Sequence, residues 1–203
     1  MRLRIRNSFK HRSNISPEEK SNILAYNIWQ ISLAGAKNLH QEDYHYEDDM
    51  QRVGVIREYL IFLIHIADRM VYDDFDEKQR GEFVNDLAKN TANHIQRNTE
   101  EIMGAGDYRA DYFGMINDRF NEYSNCSFED GMPGYSLLRT FGEKVCDIMG
   151  FDDQTNKWTI DQIMDIDGPM MVEKMTASLN SIIDQPSEEE KKKSSVELLL
   201  DEG

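Results

Sequence analysis

Glu58, His65 and Asp68 are the residues of this chain whose types and spacing could do chemistry. With Ile61 and Tyr72 they follow one another at steps of three, four, three and four, which is one stripe of an α-helix. An imidazole between two carboxylates on one face can ligate a divalent metal or move a proton. Carboxylate-bridged di-metal bundles use inward stripes of this kind, with Glu-x-x-His on two helices and a further Glu on each of two others. This chain departs from that pattern. Its Glu-x-x-His is Glu42–His45, which falls in a loop or a first helical turn. The nearest other histidine is His94, and an antiparallel hairpin turning near residues 74–75 would leave it roughly 15 Å from His65 along the axis, at 1.5 Å per residue. Glu58 comes out closer in level to His94, but two residues make no site. The competing reading is a neutral core histidine whose ring nitrogen bonds Asp68 or nearby backbone, with Arg69 paired to Asp73. Buried polar groups usually find partners in this way. No cofactor is therefore expected, and Glu58, His65 and Asp68 stand as the metal-ligand candidates.

Other constellations are weaker. The run His40, Glu42, Asp43, His45, Glu47, Asp48, Asp49 could hold a divalent ion loosely, yet acids before a helix also serve its dipole. Asp152-Asp153-Gln154-Thr155-Asn156 resembles the start of a calcium loop. Lys157 stands where that loop needs glycine and Ile163 where it needs glutamate, so it is rejected. Cys126 has no evident neighbour to activate it, and Cys146 reads as a small core residue. The chain has no P-loop, G-x-G-x-x-G, G-x-S-x-G or H-E-x-x-H. The remaining distinctive feature is the start, MRLRIRNSFKHR, where Arg2, Arg4, Arg6, Lys10 and Arg12 form a candidate partner-binding arm.

The elements that must position the stripe are helical. The 203 residues hold 38 acids against 23 bases, a net charge of −15. Mean hydropathy is −0.67. Seven valines and six threonines are few for a β protein. Glu, Lys, Gln, Met and Leu, which favour helices, are common. No run of apolar residues is long enough to cross a membrane. The two cysteines form no C-x-x-C and no secretory signal is visible, so a reducing, cytoplasmic setting is expected. Residues 1–15 hold five bases and no acid, so the remainder carries −20. Such a body repels phosphate, and broad nucleic-acid binding by it is not expected.

Ser16-Pro17-Glu18-Glu19 signals a helix start, and apolar residues from Leu24 to Leu39 keep helical spacing to about residue 39. A second helix, about 48–72, is apolar on every side from Tyr59 to Ala67 except at His65, so it is expected at the centre of the fold. Asp76 and Gln79 have capping-box spacing for a third helix to about Met103. Asp107 caps a fourth, and a fifth ends at Gly150. A short helix over 160–166 and another from Gly168-Pro169 to Ile182 follow. No convincing strand is read. The expected fold class is all-α, a compact multi-helix bundle of about six helices around the central apolar one. Three regions are expected: a flexible basic arm at 1–15, one helical domain at 16–184, and a charged tail at 185–203. The expected function is that of a non-catalytic interaction or assembly protein, bound to a protein partner or to its own copies. The alternatives are a metal- or cofactor-binding bundle, or an acid–base enzyme, built on Glu58, His65 and Asp68.

Overall fold

The structure, a computed structural model, describes residues 17–42, 44–150 and 153–183. The arm, the tail and Asp43 lie outside the described residues. The chain is all-α, as its composition implies. Helix α1 spans Pro17–Gln41, α2 Asp49–Met70, α3 Glu77–Met103, α4 Tyr108–Tyr123 and α5 Tyr135–Met149. A last helical stretch comprises α6 (Asp153–Gln162), a π-helical segment (Ile163–Asp167) and α7 (Gly168–Ile183). Among the described residues, no helix is long and apolar enough to cross a membrane.

Local chemistry sets the ends. Asp48 caps α2 by accepting from the Gln51 amide. Asp76 and Gln79 form the expected reciprocal box at the start of α3. Asp107 caps α4, and Gly150 ends α5 in the left-handed conformation at φ 67°. Two details differ from the sequence reading. A minimal antiparallel ladder, β1 (Phe128–Glu129) with β2 (Met132–Pro133), forms where no strand was expected. Asp130 and Gly131, both at positive φ, supply its two-residue turn. The short helix expected over 160–166 is instead the junction of α6 and the π segment. That wide turn lies directly before Pro169, whose missing N–H and bulky ring disrupt an ordinary α turn.

Helix α2 is the axis of the molecule. Every residue from Glu58 to Asp68 is buried, because α1, α3, α4, α5 and α7 all pack against it. Asn27 bonds Ser178 and Asn38 bonds Asp167, so α7 runs antiparallel to α1. Gln51 reaches the carbonyls of Ile148 and Met149 while Tyr59 and Phe62 meet Phe141, so α5 runs antiparallel to α2.

The closest crossing is at Gly35 of α1. A Cβ there would stand 2.7 Å from Cε2 of Tyr59 and 3.2 Å from the Met171 sulfur. Tyr59 is fully buried and cannot swing aside. Gly35→Ala is therefore expected to destabilise the protein by about 2 kcal/mol, the usual scale of core overpacking. Thermal denaturation of the variant measures it, and an unchanged midpoint would show that the α1–α2 contact is slack.

Candidate functional site

The three stripe residues all lie in the core, but different elements claim them. Glu58 is wholly buried. Arg119 of α4 sets its Nε 3.0 Å from both carboxylate oxygens, and the Tyr123 hydroxyl donates to Oε1 at 2.7 Å. Arg119 also donates to Glu122 at 3.3 Å, and Lys144 of α5 lies 2.9 Å from Glu122. The result is one charge network tying α2, α4 and α5 together. Burial pushes the Glu58 carboxyl above the ordinary carboxylate range. The Arg119 charge, the Tyr123 hydrogen bond and the Lys144 charge oppose that shift.

Asp68 turns to α3. Arg80 Nε stands 2.7 Å from its Oδ1, and the Arg80 guanidinium lies over the Tyr72 ring at 4.6 Å. The expected bond between Asp68 and His65 is not what satisfies this carboxylate. A guanidinium just across the α2–α3 turn offers a charge-assisted donor that a neutral imidazole cannot match. The expected Arg69–Asp73 pair is also replaced, since the Arg69 guanidinium lies over the rings of Tyr72 and Phe128.

His65 sits among aromatic rings. Phe120 meets it edge-on with centroids 5.3 Å apart, and Tyr123 lies 5.4 Å away. Its Nδ1 is buried and has no hydrogen-bond partner. Burial, with the charges of Arg69 and Arg80, lowers its pKa to about 4, so the ring is neutral at pH 7. His94 is elsewhere, stacked on Trp29 at 5.4 Å. Among the described residues, no three His, Cys, Asp or Glu side chains gather closely enough to hold a metal ion. The acidic segment before α2 resolves into local roles, with Asp48 as cap and His40 stacked on Tyr46. Arg2, Arg4, Arg6, Lys10 and Arg12 lie outside the described residues.

Sequence spacing gave no warning of a third buried carboxylate. Asp167, at the end of the π segment, is fully buried. It accepts from Asn38 at 2.9 Å, and from Tyr59 and Gln162 at 3.4 Å each. All three donors are neutral, and burial raises its pKa. The only sequence signal was an acid one residue before Gly168-Pro169, which reads as a helix end.

The surface carries two clefts of note among the described residues. One, of about 690 Å³, opens between α1, the start of α2 and the end of α3, and its lining includes Trp29, Leu33, Val53, Ile95 and Thr99. The other, of about 510 Å³, lies between α3 and α4 beside Asn85, Phe113 and Asn117. Neither is lined by Glu58, His65 or Asp68. No family model, curated protein or solved structure matches the chain.

Proposed function

We propose that this chain is a non-catalytic interaction or assembly protein, a helical body that works through its surface. The observation that carries this reading is the employment of its buried charges. Glu58 and Asp68 each hold a guanidinium from another helix, and neither cleft reaches them. Groups committed in this way fix helix positions and are not presented to a substrate. The charge layout supplies the means of association. A +5 segment at residues 1–15 complements a −20 remainder, so the arm suits an acidic partner or the body of a second copy. Cys126 and Cys146 form no disulfide, which suits a reducing, cytoplasmic setting.

Native mass spectrometry of the full-length protein tests this proposal. A defined oligomer or partner complex is expected, and deletion of residues 1–12 should weaken it. Assembly that survives the deletion unchanged removes the arm from the mechanism, and a partnerless monomer overturns the proposal.

One observation favours a second reading, a metal- or cofactor-binding or acid–base bundle on the same stripe. The Nδ1 of His65 is a buried polar atom with no partner. The same spectrum decides it, through a retained ion or small molecule that His65→Ala loses.

A further inference from the structure

The cleft between α1, α2 and α3 combines four features that point to one kind of ligand. Its volume of about 690 Å³ lies within the range of small-molecule sites. Its lining includes buried apolar side chains from three helices, among them Trp29, Ala36, Val53, Ile56 and Ile95.

Thr99 also lines it, is only 1% exposed, and its hydroxyl has no hydrogen-bond partner. Ser32 also has a buried hydroxyl without a partner, but it does not line this cleft. Thr91 and Thr176, likewise buried in helices, each donate to the carbonyl four residues back at 2.8 Å. Thr99 makes no such bond, so a buried hydroxyl is left unmatched at the cleft. An unmatched buried polar group is costly unless a partner arrives.

The fourth feature is the charge at the mouth. Asp49 pairs with Arg52 at 2.9 Å, and Asp48 is engaged as the cap of α2. Lys37 is exposed, and among the described residues it is the cation of this lining with no ion-pair partner. The α2 N-terminus also lines the cleft, its positive end already met by Asp48 and Asp49.

We infer that this cleft binds a small amphipathic carboxylate, with an apolar body against Trp29 and Ile95, a polar contact to Thr99 and the anionic head at Lys37. The ligand is a site function separate from association through the arm. Loss of one therefore leaves the other standing.

The test titrates full-length protein with dodecanoate, kept below its micelle concentration, by calorimetry and tryptophan fluorescence. Trp29 lies in the cleft, and Trp158, 70% exposed, lies outside its lining. Trp29→Phe therefore identifies the responding residue. Saturable one-to-one binding is expected. Lys37→Ala is expected to weaken it about tenfold through loss of a charge-assisted contact. Thr99→Val, nearly isosteric, is expected to weaken binding of 12-hydroxydodecanoate, whose hydroxyl can serve that contact, roughly three- to tenfold, while leaving dodecanoate little changed. Neither substitution removes a core contact, so circular dichroism should be unchanged in both. Dodecanol, with the same chain and no charge, should bind about tenfold more weakly. Absence of saturable binding overturns the proposal. So does binding of both acids that both variants leave intact, and dodecanol binding as tightly as dodecanoate refutes the anionic head.

Discussion

Arg119→Met is expected to cost the fold about 3–5 kcal/mol, the penalty for leaving a buried carboxylate without its cation. Glu58 has no route to water, since it is wholly enclosed. Tyr123 would still donate one hydrogen bond. Lys144 is already engaged by Glu122 at 2.9 Å, so its charge acts on Glu58 without a direct ion pair. The carboxyl would have to take up a proton or pull the helices apart. Removing both partners has a different effect. Glu58→Met with Arg119→Met deletes the unpaired charge, so most of the loss should be recovered. Only the unmatched Tyr123 hydroxyl then remains, at about 1–3 kcal/mol. Urea unfolding of the single and double variants measures the difference. A single-variant loss below about 1 kcal/mol, the level of an exposed pair, would mean that this network does not hold α2 against α4.

The second large effect is a dependence on pH. His65 has its pKa lowered to about 4 by burial and by the charges of Arg69 and Arg80. The unfolded chain takes up a proton on this ring near pH 6.5, while the folded chain refuses it until about pH 4. The stabilisation is therefore fully present above about pH 6.5 and is lost as pH falls towards 4. A separation of that size corresponds to about 3 kcal/mol. Glu58, Asp68 and Asp167 act in the opposite sense. Burial raises each of their pKa values, so the folded state takes up their protons more readily and they favour it as pH falls through the raised values. The contribution of His65 is isolated by subtraction. The stability of wild type minus that of His65→Met, from urea unfolding at each pH, should fall by about 3 kcal/mol between pH 7 and pH 4. A flat difference would show that His65 titrates normally and is not sealed in the core.

The helices were legible because their signals are local. The Asp76–Gln79 box, the Asp107 cap and the Gly150 terminator each lie within a few residues of the end they define. The central place of α2 was legible too, since a helix with no wet face has to be surrounded. The partners of the stripe were not. Glu58 and Arg119 are 61 residues apart, and nothing in the spacing of α4 distinguishes Arg119 from a solvated arginine. Arg80 was closer in sequence to Asp68, but an i,i+3 neighbour on the same helix was the simpler match for that carboxylate. The π segment stayed hidden because its residues, Ile163 to Asp167, read equally well as a helix end before Pro169. The cleft could not be read at all. It belongs to the relative placement of three helices, and no one of them carries its pattern.

The enclosure of α2 also has a consequence for synthesis. Of the helices that cover it, only α1 precedes it in the chain; α3, α4, α5 and α7 all follow. At the usual pace of translation, roughly 5–20 residues per second, several seconds separate the emergence of Met70 from that of Met149. At the start of that interval the most deeply buried helix of the protein has one of its covering walls; α3, α4 and α5 arrive in turn, and α7 later still. Its nascent form is a natural client for the chaperones that shield exposed apolar chain. Truncated products ending before α5 should aggregate where the complete protein stays dissolved.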